Sequence, residues 1–204
     1  MTQLEVKTIG EFLRFYQTDL EYIANFRRFL NGTISPEKYI EETPGSFYRF
    51  LIEFRIIRNL EKDQTKELLQ LTKRWCLAKN CDDVDKFALK IKETGLSHGK
   101  TPRSLASKII FLNNPWNILP IDARGRQTLH QKSKCYYNDY RLAAKQFVMK
   151  EKESLASMLK EITPFLSEIE STVTPVLPRI EVIRENRLID KLLWVKGDPD
   201  DLIP

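Results

Sequence analysis

The sequence predicts an all-α protein, and three features carry that prediction. Apolar residues recur at spacings of three and four in one segment after another. Helix-start signals such as Ser35-Pro36, Asp82-Asp83 and Thr101-Pro102 precede several of these segments. Evidence for strands is thin: the short run Ile118-Leu119-Pro120-Ile121 contains a proline and reads as a buried loop.

The elements follow in order. Thr8 is expected to cap the first helix, with Glu11 completing a capping box. Phe12, Phe15, Tyr16, Ile23, Phe26 and Leu30 form its apolar stripe, and Asn31-Gly32 ends it. Ser35-Pro36 opens a short second helix, because a proline at the first helical position loses no needed N–H. After Pro44-Gly45, an apolar helix is expected from about 46 to 60, then one over about 64–79. Asp82-Asp83 caps a helix ending near Gly95, and Thr101-Pro102 opens another that fades at Asn113-Asn114-Pro115. Asp122 is placed to cap the next. The stretch from Tyr140 to about Glu170 is helical with an interruption at Pro164. Pro175 and Pro178 mark a link to a last helix, about 180–194, ended by Gly197.

At 204 residues the chain can bury a core without metal or disulfide staples. Cys76, Cys81 and Cys135 are odd in number and not closely paired, and no signal peptide is read. Structural thiols in a reducing cytoplasm are expected. No apolar run of about 18 residues indicates a membrane span. Neither histidine, His98 or His130, has a metal-ligand companion at useful spacing, so no metal or other cofactor is expected.

The net charge of +5 is unevenly spread. Between Ser97 and Lys150 lie Lys100, Arg103, Lys108, Arg124, Arg126, Lys132, Lys134, Arg141, Lys145 and Lys150, against only Asp122 and Asp139. The rest of the chain is slightly acidic. A concentrated basic stretch is the footprint expected for a polyanion such as nucleic acid.

Within it, Thr101–Arg126 carries the chemistry. Lys108 falls in the second turn of a helix whose buried face should include Leu105, Ile109 and Leu112. An apolar turn with Trp116, Ile118, Leu119 and Ile121 then delivers Asp122 to the start of another helix. Two helices joined by such a loop are expected to bring Lys108 and Asp122 to one cleft mouth. An amine against apolar walls can become a nucleophile. A fixed carboxylate can act as base or stabilise developing positive charge. Cleavage between a base and deoxyribose needs this pair, since its transition state is oxocarbenium-like at the sugar C1′.

The Ser107-Lys108 helix and the Pro120-Ile121-Asp122 turn resemble the catalytic segment of 8-oxoguanine-type DNA glycosylases, in the helix-hairpin-helix glycosylase superfamily. Arg187 to Trp194 (RLIDKLLW) is similar to the closing helix of compact bacterial proteins of that fold, some associated with defence against phages carrying modified bases. The resemblance implies one glycosylase-like domain over 1–204 with two helical lobes and a cleft between them, residues 97–126 forming a hairpin-like DNA-binding and catalytic segment. It implies Lys108 as nucleophile and Asp122 as its electrostatic and base partner. Four clustered cysteines are absent, which sets the chain apart from the iron–sulfur branch.

Such an enzyme must extrude its base from the duplex stack, which calls for phosphate anchors and an aromatic-walled pocket. His98, Lys100, Arg103 and Ser104, around a helix start, and Arg124 and Arg126, after the aspartate, are the expected DNA contacts. Tyr136, Tyr137 and Tyr140 could stack on bases or pack in the core. Tyr137, Asp190 and Trp194 are the base-pocket candidates. The expected function is a monomeric, cytoplasmic DNA glycosylase that excises an oxidised purine or a hypermodified phage cytosine, with a lyase step left open. The alternative is a non-catalytic helical DNA-binding protein on the same fold.

Overall fold

The structure, a computed structural model, describes residues 1–54, 62–79 and 81–198. Among them are eleven α-helices and no strand: α1 (Gln3–Leu30), α2 (Pro36–Tyr39), α3 (Phe47–Glu53), α4 (Lys62–Cys76), α5 (Val84–Glu93), α6 (Arg103–Asn113), α7 (Ala123–Thr128), α8 (Tyr137–Lys150), α9 (Lys152–Ile162), α10 (Ser167–Ser171) and α11 (Ile180–Lys196). None of these helices is long and apolar enough to cross a membrane. The all-α expectation holds. The chain divides into two compact units, residues 18–118 and residues 1–17 with 119–204.

Local chemistry explains most boundaries and corrects one. Thr8 is not a helix cap. The capping box is Thr2-x-x-Glu5: the Thr2 N–H donates to Glu5 Oε2 (2.7 Å) and the Glu5 N–H donates to Thr2 Oγ1 (3.2 Å). Thr8 lies inside α1, fully buried, where its hydroxyl donates to the Leu4 carbonyl (2.8 Å). At the other end, Thr33 N–H reaches the Arg28 carbonyl and Gly32 N–H the Phe29 carbonyl, so Asn31-Gly32 does end the helix. Ser35, Ser46 and Asp83 cap α2, α3 and α5 through side-chain oxygens. The helix expected over 46–60 ends its described part at Phe54, the C-cap of α3, and 55–60 lies outside the described residues. Helix α8 begins at Tyr137, and a break at Glu151 separates it from α9 well before Pro164.

The unit of residues 18–118 is built on aromatic packing. Tyr22, Phe26, Phe29, Tyr39, Phe47 and Phe50 are all buried. Successive rings touch, with centroids at 5.0 Å for Phe29–Tyr39, 6.3 Å for Phe47–Phe50 and 4.4 Å for Phe50–Phe54. Such pairs contribute about 0.5–1.5 kcal/mol each beyond area burial. In the same unit α5 packs along α6. Arg27 secures the end of α6: it donates to the Asn113 carbonyl (2.7 Å) and stacks 4.6 Å from the Trp116 ring. Asn114 Nδ2 donates to Asp82 Oδ2 (2.7 Å), so the asparagines expected to end this helix also fasten its exit.

The unit of residues 1–17 and 119–204 is centred on α11. Its Ile183, Leu188, Leu192, Leu193 and Val195 are buried, and α7 and α9 pack on it. Tyr16 donates to Glu170 Oε1 (2.7 Å), while Arg184 grips both carboxylate oxygens of Glu170 at 2.8 and 2.6 Å. This buried clamp joins α1, α10 and α11.

Candidate active site

Lys108 belongs to the unit of residues 18–118, and Asp122 to the other. Around Lys108, helix α6 buries Ala106, Ser107, Ile109, Ile110, Phe111 and Leu112, while Arg103, Ser104, Leu105 and Asn113 are half-buried. Lys108 is half-buried among them. Its Nζ donates to the Phe54 carbonyl (3.2 Å) and lies 5.8 Å from the Phe54 ring centroid. An ammonium on such a helix needs groups that offset its lost hydration, and a carbonyl dipole and an aromatic face do so. Phe54 gave no signal in the sequence, because 54 positions separate it from the lysine.

The segment before α6 forms a tight helical hairpin with α5. Gly95 and Gly99 have φ of +82° and +76°, and His98 shares that left-handed region at +48°. His98 N–H bonds to the Gly95 carbonyl and Lys100 N–H to the Ser97 carbonyl. His98 and Lys100 are exposed, and Ser104 is half-exposed at the start of α6. Arg103 is turned toward the hairpin itself, with Nε donating to Asp85 Oδ1 on α5 (2.5 Å).

In the other unit, Asp122 is the N-cap of α7, as expected. Its Oδ1 accepts from the Gly125 N–H (2.5 Å). The preceding turn is held by two tyrosines of α8. Tyr137 Oη accepts from the Leu119 N–H (3.0 Å), and Tyr140 Oη donates to the Pro120 carbonyl (3.2 Å). Ile118, Pro120 and Ile121 are buried, which matches the buried-loop reading. Burial, then the charges of Asp190 and Asp122, hold the Tyr140 phenol well above its usual 10.0, and Arg126 acts in the opposite sense. Asp190, Asp122, Tyr137 and Arg126 are thus the ionisable groups whose charges act on Tyr140.

The remaining candidates have specific neighbours. Asp190 pairs with the buried Arg187 at 3.1 Å. Arg124 lies over Trp194, its guanidinium carbon 3.8 Å from the ring centroid, and pairs with Asp198 at 3.0 Å. Tyr137 is buried with its hydroxyl engaged by the loop, so in this structure it supports the Asp122 turn. His130 closes α7 in the left-handed conformation (φ +52°), with Gln131 N–H on the Arg126 carbonyl.

Sequence reasoning missed three contributors to the turn. A Cβ on Gly125 would sit 2.5 Å from Tyr140 Oη, and one on Gly197 would sit 2.2 Å from the Arg124 carbonyl oxygen. Thr128 Oγ1 donates to the Leu193 carbonyl (2.7 Å), tying α7 to α11. A glycine between two arginines in a predicted first helical turn was the one available hint. No family model, curated protein or solved structure matches the chain.

Proposed function

We propose that the chain is a DNA glycosylase of helix-hairpin-helix type, cleaving the N-glycosidic bond of a modified base. The observation that carries this reading is Lys108: a half-buried lysine between the buried Ser107 and Ile109, on the helix that follows a glycine-containing turn. The capped, tyrosine-braced Asp122 turn supports it independently. The basic stretch around both residues fits a DNA partner.

The reaction uses these two groups. The Lys108 amine, once deprotonated, gives its lone pair to C1′ as the C1′–N bond breaks, and the electron pair leaves with the base, which takes up a proton. The Asp122 carboxylate stabilises positive charge on the sugar and accepts the proton that the amine sheds. The C1′–O4′ bond then breaks, O4′ taking the proton from Asp122, and the opened sugar is left as a C1′ iminium, which water hydrolyses to free the lysine. If the iminium instead loses the sugar's C2′ proton, the C3′–O bond breaks, the 3′ phosphate leaves with its electron pair, and the strand is cut. Substrates of this chemistry include oxidised purines and the hypermodified cytosines of phage DNA, the latter placing the protein in defence.

The test is base release measured as abasic sites. Lys108→Ala and Asp122→Asn should each lower it by at least about 100-fold, the usual size of losing a catalytic group, while leaving the helical signal and melting temperature near those of the parent. Full activity in both variants would remove the mechanism. The second reading, a DNA-binding protein without chemistry, is favoured by the tie between Arg103 and Asp85 within the hairpin. It predicts salt-sensitive DNA affinity and no base release.

A further inference from the structure

The structure sorts the three tyrosines of the basic stretch. Tyr137 and Tyr140 are 7% and 1% exposed, and their hydroxyls are spent on the Asp122 turn. Tyr136, immediately before α8, is 60% exposed. Lys132 and Lys134 are exposed in the turn that leads to it, where Cys135 N–H bonds to the Lys132 carbonyl. Arg141 and Lys145 are exposed one and two turns into α8. Asp139 is the one acidic residue among positions 132–150. A largely exposed ring, with exposed lysines two and four positions before it and further exposed cations on the helix that follows, matches the chemistry of a nucleic-acid strand, which offers phosphates to cations and base faces to a ring.

We propose that Lys132, Lys134 and Tyr136 form a second DNA contact, distinct from the candidate catalytic residues: the two lysines hold consecutive phosphates and the Tyr136 ring stacks on an unpaired base. This rests on the glycosylase reading only for the identity of the polyanion. Extrusion of a base leaves an opened strand, and a stacking surface flanked by phosphate anchors would hold that strand. Tyr136 would add affinity for single-stranded or locally opened DNA over intact duplex.

The experiment uses the full chain and two fluorescein-labelled probes of about 20 nucleotides, a thymidine single strand and an unmodified duplex, with affinity read by anisotropy across salt concentrations. Lys132→Ala combined with Lys134→Ala should weaken both probes by roughly 10-fold and reduce the salt slope by about two, one per lost phosphate contact. Tyr136→Ala should weaken the single strand by about 5- to 100-fold and the duplex much less, and Tyr136→Phe should keep parental affinity. Unchanged affinity and salt slope in the lysine variant, or equal losses for Tyr136→Ala and Tyr136→Phe, would overturn the proposal. A parent protein that binds both probes and loses affinity in these variants, yet releases no base from any DNA, would support this contact while removing the glycosylase reading.

Discussion

At the scale of single residues, the Asp122 turn is defined by how little room it leaves. Gly125 donates to the aspartate and lies so close to Tyr140 that a methyl group would meet the phenol oxygen at 2.5 Å and Asp122 Oδ1 at 3.1 Å. Gly125→Ala should therefore cost about 1–3 kcal/mol of stability, the usual range for overpacking. Because the atom in the way is a hydroxyl, Tyr140→Phe should recover part of that loss in the double variant, although alone it destabilises by removing the bond to the Pro120 carbonyl. A thermodynamic cycle over the four proteins measures this coupling. Purely additive losses would mean that the turn rearranges to admit the methyl group.

The sequence conveyed the turn's outline better than its support. Pro120, Asp122 and the cap at α7 are local, and short-range backbone rules suffice to read them. Tyr137, Tyr140, Thr128 and Gly197 act across longer separations, and nothing in the spacing of residues indicates which hydroxyl reaches which carbonyl.

At the scale of elements, buried polar clamps do what apolar packing alone leaves undone. Glu170 is 6% exposed and is satisfied by Tyr16 and by the Nε and Nη2 of Arg184. Arg184→Ala strands a buried carboxylate, and the expected loss is about 3–5 kcal/mol, read from chemical unfolding. The triple variant Tyr16→Phe, Arg184→Met, Glu170→Met should be far closer to the parent, since apolar residues of similar volume need no partners. Equal losses in the two proteins would show that packing, not charge, governs this junction. The same scale explains the misplaced start of α1. Thr8-x-x-Glu11 and Thr2-x-x-Glu5 are both capping-box patterns, and the burial of Thr8 against the core selects the earlier one. Likewise, the helix expected from Tyr140 to Glu170 is divided at Glu151, whose carboxylate pairs with Lys196 of α11. No local signal marks that break.

At the scale of the whole molecule, the all-α class was legible because helical periodicity survives in every described segment. The division into two units was less so, since it cuts through α1 rather than falling at a loop. The core also sets a pH limit. Burial holds the phenols of Tyr16, Tyr39 and Tyr140 well above the ordinary 10.0. A proton held more tightly in the folded state means that stability is intact below pH 10 and falls as pH rises beyond it. Urea unfolding midpoints at about pH 9 and about pH 11 should differ, the higher pH giving the lower midpoint. Equal midpoints would show that the phenols ionise alike in both states.

Release of a base is what separates a glycosylase from a DNA-binding protein without chemistry. Purified protein is incubated with DNA containing modified bases and with the same DNA unmodified, and free bases are identified by mass spectrometry as abasic sites are counted. The parent is expected to release a modified base and none from unmodified DNA, and Lys108→Ala is expected to lose that release. A parent that binds DNA yet liberates no base from oxidised or phage-type modified DNA would contradict the glycosylase reading.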